Sequence, residues 1–330
     1  MSVKFYMAPM EGITGYVYRN AYHRYFSPMD KYITPFIVPN QTRSLKSREL
    51  NDVLPEHNQG MKIVPQILTN CAEDFLWCAD KLGELGYEEI NLNLGCPFGT
   101  VVSKGRGAGF LQDPDRLDDF LEHIFSKTTQ EISIKTRLGM KEESEFERLM
   151  EIFNRYPLKE LIIHPRVRED YYKNEARMDG FAYGQKVSQC PVCYNGNVFC
   201  REDFEKVLDR FPGTERVMLG RGLISNPELT EKLRQAEENL EDAAPGETGI
   251  QNGRERFCQF HDAVLSGYEE IMSGERNVLF KMKELWAYMD NLFEGGEKIK
   301  KKIRKSQCLG EYQMYVAMLL EETHWKGDRI

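Results

Sequence analysis

Eight short apolar, β-branched runs alternate with segments of helical period over about the first 240 residues, and few folds accept that pattern. The runs lie at 3–8, 32–38, 62–68, 89–94, 132–137, 161–164, 192–195 and 217–220. Between several of them, helices are expected at 72–85, 114–127, 144–156, 201–211 and 226–240. Asp113-Pro114 and Asn226-Pro227 each set a capping side chain before proline at a first helical position, where the missing N–H costs nothing. Strands that run parallel need a crossover between them, usually a helix. Eight such units predict an α/β protein of the (β/α)8 TIM barrel type. A doubly wound open sheet uses the same unit and is the competing architecture.

The pattern ends near residue 240. Residues 241–254 (EDAAPGETGIQNGR) are polar and contain Gly and Pro, which reads as a linker. From 255 onward no strand stands out, and helical patterns run through 257–271, 279–293 and 310–322. The expected plan is a catalytic barrel over 1–240, a linker over 241–254 and a small C-terminal all-helical domain over 255–330. Of the 330 residues 41% are hydrophobic, enough for a large core. No apolar run approaches the roughly 20 residues that span a bilayer, and the start lacks the pattern of a signal peptide. A soluble, cytoplasmic protein is expected on these grounds, and separately a monomer. The eight cysteines then read as reduced thiols rather than a disulfide framework. Cys190 and Cys193 form a CxxC with Cys200 nearby. No second pair or histidines complete a zinc site, so no metal is expected.

In a barrel of this kind the chemistry sits where the strands end. Those ends read MAPMEG, PQI, NLNLGCP, KTRLG, HPR, YNGN and GRGL. Asn195-Gly196-Asn197 and Gly220-Arg221-Gly222 follow the seventh and eighth runs, the usual place for a phosphate in such barrels. Each alone also reads as a turn. Lys135 and Arg137 share one face of the fifth run. Aimed into the mouth they suit an anion or an electron-rich ring; at a frayed strand end they would reach water. Gln66 could bond the edge of a heterocycle, and His164 is either a ligand contact or a structural histidine. Asn91 and Asn93 share a face and lead into Cys96, on a glycine-containing loop. The following GTVVSKGRGAG reads as a mobile lid. No local base accompanies Cys96, which favours proton donation by a neutral thiol over nucleophilic attack.

Taken together, APMEGIT, NLNLGCP with GAGFL after it, IKTRLG, IHPRVR, YNGN and GRGL resemble the tRNA-dihydrouridine synthases, in that order and spacing. The resemblance implies an FMN-dependent barrel that reduces the C5–C6 bond of uridines in tRNA, with NADPH as reductant. Hydride would come from reduced flavin N5 and the proton from Cys96. It further implies that Pro9, Met10, Glu11 and Gln66 contact the flavin, with Lys135 beside its ring and His164 on the cofactor. Asn195, Gly196, Asn197, Gly220 and Arg221 would hold its phosphate end. Asn93, Arg137 and Arg166 would face flavin or uracil. HPRVR departs from the commoner HGRTR, and CPVCYNGN from an aliphatic strand; neither removes a group the chemistry needs.

The net charge of −8 excludes a protein that is basic throughout. Residues 276–305 nevertheless hold nine Lys or Arg against four Asp or Glu. Lys300, Lys301 and Lys302 lie in this run, which reads as a solvated helix face or, beside the synthase motifs, as a tRNA-binding surface. Trp286, Tyr288, Tyr312 and Tyr315 read as core of the helical region. Two rivals remain at this point: a flavin barrel acting on a free pyrimidine or enone, and an RNA-binding protein without catalysis.

Overall fold

A parallel strand satisfies its backbone only between two neighbours, and the eight runs meet that demand by closing on themselves. The computed structural model describes residues 2–40, 42–237 and 253–327. Its strands are β1 (Lys4–Met7), β2 (Lys31–Ile33), β3 (Ile63–Val64 and Gln66–Ile67, interrupted at Pro65), β4 (Glu89–Leu94), β5 (Glu131–Gly139), β6 (Leu161–Val167), β7 (Val192–Tyr194) and β8 (Arg216–Leu219). All pair in parallel, and β1 pairs with β8 over Lys4↔Arg216 to Met7↔Leu219. The two halves of β3 pair with β2 and β4 respectively, so the ring closes through Pro65. Proline has no N–H to give β2; its carbonyl still accepts from the Asn91 amide at 2.8 Å. The closed ring is the (β/α)8 barrel that the pattern predicts, not the open sheet.

Inside the ring Tyr6, Ile33, Val64, Ile162, Cys193 and Met218 form a compact apolar cluster. Cys193 belongs to it, while Cys190 precedes β7 and is half-buried. Among the described residues no group of three or more His, Cys, Asp or Glu side chains gathers as a metal site. At the floor, Lys31 lies between the carboxylates of Glu89 and Glu160, all three buried. The Tyr6 hydroxyl donates to Glu160 at 3.1 Å. Removing Lys31 takes the close cation from both buried carboxylates and leaves Glu160 only the longer contact with Arg216, at 3.7 Å. Lys31→Met is therefore expected to cost about 3 kcal/mol of stability in urea unfolding. It lies at the opposite end from the strand-end motifs, so ligand binding there should be unchanged.

The helices Ala72–Glu84, Pro114–Phe125, Glu145–Phe153, Arg201–Arg210 and Leu229–Glu237 occupy the expected stretches, shorter by one to several residues. The Asp113 carboxylate accepts from Arg116 N at 3.3 Å and the Asn226 side chain from Glu228 N at 3.1 Å, which are the caps the two X-Pro pairs announce. Among the described residues no helix is long and apolar enough to cross a membrane.

Among the described residues four α-helices make the tail: Gly253–Ile271, Glu275–Met289, Glu297–Lys305 and Leu309–Glu322. Most of the expected linker, 241–252, and the end of the helix expected to reach 240 lie outside the described residues. The tail is helical as expected, except for a two-residue ribbon, Phe293–Glu294 against His324–Trp325, too short for any alternation to show. Its apolar faces do not form a separate core. One hydrophobic cluster runs from Val3 to Leu319, with Phe260 set edge-on against Tyr18 and Phe26 at 5.4 and 5.2 Å. Lys281 donates to the Gly12 carbonyl at 2.6 Å, which brings the second tail helix over the barrel mouth.

Candidate functional site

Six of the strand ends deliver their unusual residues to one cavity of about 500 Å³ at the barrel mouth. Pro9, Met10 and Glu11 come from β1, Asn93 and Cys96 from β4, Lys135 from β5 and His164 from β6. Asn195, Gly196 and Asn197 come from β7, and Gly220 and Arg221 from β8.

Cys96 is 8% exposed. Its amide and that of Gly95 both donate to Asn93 Oδ1 at 3.0 Å. Asn93 in turn donates to Gln66 Oε1, Gln66 to Asn91 Oδ1, and Asn91 to Ser133 Oγ, at 2.7, 2.7 and 2.9 Å. This chain of amides ties the cysteine loop to the rigid faces of β3, β4 and β5. The stretch after Cys96 is a packed cap rather than a free lid. It forms a short helix, Gly99–Val102, and a 3₁₀ turn, Gly107–Gln112, and Ala108 N donates to the Cys96 carbonyl at 3.0 Å. Glycine serves close approach here: a Cβ on Gly107 would lie 2.8 Å from the Cys96 oxygen, at a φ of +56°. Burial pushes the Cys96 thiol up, and Arg137 and Lys135 only partly offset it. The thiol therefore stays protonated at neutral pH, as an acid must.

The cavity is cationic. Burial and Arg137 pull the Lys135 ammonium down to about 7. Burial, with Arg137, Lys135, Arg166 and Arg221 around it, holds the His164 imidazole well below its usual value. Two carboxylates line the cavity, and both are turned to cations, Glu11 to Arg48 and Glu284 to Lys281 at 3.3 Å. Arg221 donates to Asn197 Oδ1 at 2.9 Å and lies over the Tyr172 and Phe199 rings. Gly196 is required where it stands, because a Cβ would fall 2.0 Å from the Tyr194 hydroxyl oxygen. Uncompensated cations, a neutral imidazole and glycine amides beside aromatic walls suit a flat heterocycle with an anionic tail.

Several expected residues lie elsewhere. Gln66 is fully buried and its amide belongs to the chain just described, beneath the cavity wall. Arg137 does not present its guanidinium to the cavity: it donates to the carbonyls of Gly95, Val167 and Tyr171 at 2.8, 3.0 and 2.9 Å, so it organises loops. Arg166 is fully buried, bonded to the Asn174 carbonyl and to His164. Lys300 is buried as well, because its ammonium donates to the Phe293 carbonyl at 2.8 Å and to Glu297 at 2.9 Å. Lys301 and Lys302 are exposed, away from the cavity lining. Phe36, Phe98, Tyr172, Phe199, Glu284 and Tyr288 line the cavity unannounced. Phe98, two residues beyond Cys96, carries a readable signal; Tyr288 arrives from the tail and carries none.

A closed parallel barrel with a buried, protonated thiol and a cationic cavity at its mouth defines the class as a (β/α)8 enzyme. The dihydrouridine synthase (Dus) family model matches residues 6–320; the chain belongs to that family. It is 29% identical to a tRNA-dihydrouridine(16) synthase of Pseudomonas putida, over 68% of this chain and 71% of the relative. It is 27% identical to tRNA-dihydrouridine synthase B of Pasteurella multocida, over 68% and 67%. The barrel also superposes on histamine dehydrogenase of Rhizobium sp. 4-9 with a TM-score of 0.53 at 14% identity, over 71% of this chain and 45% of that one, a likeness of fold.

Proposed function

We propose that this protein is a tRNA-dihydrouridine synthase that uses FMN and NADPH to reduce the C5–C6 bond of particular uridines in tRNA. The observation that carries the reading is the protonated Cys96 thiol sharing one cavity with Lys135 and Arg221. Both relatives named above carry that activity in their names. FMN, when bound, supplies hydride chemistry to the site. The residues of the chain divide the remaining work. Arg221, oriented by Asn197, holds the phosphate end with the amides of Gly196 and Gly220, and Asn195 braces this turn through the Met218 carbonyl at 2.9 Å. Lys135 offsets negative charge on the ring, His164 contacts the cofactor, and Pro9, Met10 and Glu11 bound its edge. Cys96 gives its Sγ proton to uracil C5, and one hydride at C6 with one proton at C5 balances the reduction. Asn93 holds the thiol's backbone for that transfer.

A uridine in folded tRNA must leave its stack to reach such a site, at a cost of a few kcal/mol. Phe98 and Tyr172, 56% and 43% exposed at the cavity, offer aromatic faces to an unstacked base. Residues 255–330 act as the tRNA-contacting domain that follows the 1–240 catalytic barrel in sequence, in a cytoplasmic monomer. The helix Glu297–Lys305 presents Lys298, Lys301, Lys302 and Lys305 to solvent. Neutralising Lys301 and Lys302 together is expected to flatten the salt dependence of tRNA binding by roughly one to two phosphate contacts' worth of slope. Lys300→Gln should leave that slope unchanged, because its charge is spent inside the fold.

The activity reading is tested by cofactor uptake and substrate choice. The purified protein should bind FMN, turn yellow, and oxidise NADPH with unmodified tRNA but not with free uridine. A colourless protein that takes up no added FMN contradicts it, and equal turnover of free uridine points to the pyrimidine-reducing barrel instead.

A further inference from the structure

Arg166 lies outside the cavity, yet it has a consequence for the ring that lines it. Its guanidinium nitrogen is 2.8 Å from Nε2 of His164, with both side chains buried. A guanidinium can only donate. Nε2 must therefore accept, and a neutral imidazole that accepts at Nε2 carries its proton on Nδ1. Arg137, Lys135 and Arg221 crowd the same ring with positive charge, and Glu11 and Glu284, the carboxylates that line this cavity, are paired with Arg48 and Lys281. The ring thus has no charge to stabilise a second proton. We propose that Arg166 is a positioning residue that holds His164 as the neutral Nδ1–H tautomer, making it a hydrogen-bond donor to an acceptor atom of the cofactor.

The support behind Arg166 makes the arrangement rigid. Its Nε donates to the Asn174 carbonyl at 2.8 Å, and the Asn174 side chain donates to Asp170 at 2.6 Å. Asp170 also accepts from Val167 N at 3.0 Å and from Arg177 at 2.9 and 3.1 Å. Arg177 N closes the turn on the Pro165 carbonyl at 2.7 Å. The segment after β6 is therefore folded around one carboxylate, which sets the arginine that sets the histidine. His164 and Arg166 are two apart on β6, where the pairing with β5 shifts register after Arg137↔His164, and the contact between them is direct.

The inference deepens the cofactor reading, but its first test needs no cofactor. Nitrogen-detected histidine spectra of the FMN-free protein, with His164 assigned by its loss in His164→Gln, report which ring nitrogen bears the proton. Wild-type protein should show a protonated Nδ1 and an accepting Nε2, unchanged between pH 8 and pH 5.5. Arg166→Met should lose that signature and weaken FMN binding about tenfold, the loss of one well-placed hydrogen bond. Arg166→Lys, which still donates, should restore most of both. A wild-type His164 protonated at Nε2, or doubly protonated at pH 7, overturns the proposal even if Arg166→Met does not fold. So does an Arg166→Met protein that keeps the Nδ1–H signature. If wild-type protein shows the tautomer but binds no FMN, the cofactor reading fails and the tautomer lock stands.

Discussion

Cys96→Ala is expected to retain FMN and to lose dihydrouridine formation by roughly 10²–10⁴-fold, the usual worth of a positioned acid. The cofactor should stay because the loop is held by backbone bonds, from Gly95 and Cys96 to Asn93 and from Ala108 to Cys96, none of which needs the sulfur. Flavin reduction by NADPH should proceed at the wild-type rate, while reoxidation by tRNA should stall. Stopped-flow absorbance separates the two half-reactions. Burial holds the thiol protonated, so the thiol itself should add no pH dependence to reoxidation near neutrality and should lower it only where it ionises in alkali. Reoxidation by tRNA at the wild-type rate in Cys96→Ala would remove this residue from the mechanism.

Lys135→Met should have two opposed effects. FMN affinity should fall about 10–100-fold with the loss of a charge-assisted contact. The FMN-free protein, by contrast, should become more stable at neutral pH, by roughly 2–5 kcal/mol. The ammonium of Lys135 sits near 7 in the fold because of burial and Arg137, and near 10.4 in an unfolded chain. Above that higher value the amine is neutral in both states and costs nothing. As pH falls toward 7 the unfolded chain takes up a proton that the fold resists, so the fold loses stability; below 7 the penalty is complete. Urea unfolding at pH 6.5 and pH 10 should show the gain at the lower pH and almost none at the higher. An equal effect at both would mean that the lysine is not held under electrostatic stress. Such a residue is kept for what it binds.

Much of the barrel was legible because short apolar, β-branched runs recur between segments of helical period. The fourth run agrees with the sequence pattern to the residue, at Glu89–Leu94. The second stops at Ile33 rather than 38 because Pro35 interrupts the ladder, leaving one bridge from Ile37 to Ile67. Helices that carry glycine or many aromatics were hidden. Met178–Val187 contains Gly180 and Gly184, which read as breakers but let the helix approach Leu138 and Ile163, where a Cβ would fall at 2.6 and 2.7 Å. Tyr16–Tyr25 is a run of tyrosines with a buried Arg19. The helix Glu297–Lys305, legible as a solvated helix face, also buries Ile299, Lys300 and Ile303.

The site divides along a similar line. Residues on strands or tight turns, Cys96, Lys135, His164, Asn197 and Arg221, reach the cavity where their strand ends place them. Periodicity put Arg137 in the mouth beside Lys135, and the family resemblance put Arg166 there. Loop carbonyls that no local pattern encodes claim both guanidiniums. Gln66 was visible as a lone amide in an apolar strand, but its partners Asn91 and Asn93 sit one strand away. Lys300 shows the same limit in the tail, where a neighbouring carbonyl buries what charge counting exposes.

We propose joint action of Cys96 and a reduced flavin on a uridine in RNA. Its most direct test is mass spectrometry of unmodified tRNA after incubation with the FMN-loaded protein and NADPH. A two-hydrogen mass gain on specific uridines is expected, with one NADPH consumed for each, and a gain at least about a hundredfold slower with Cys96→Ala. NADPH oxidation that leaves every uridine in the tRNA unreduced would contradict it.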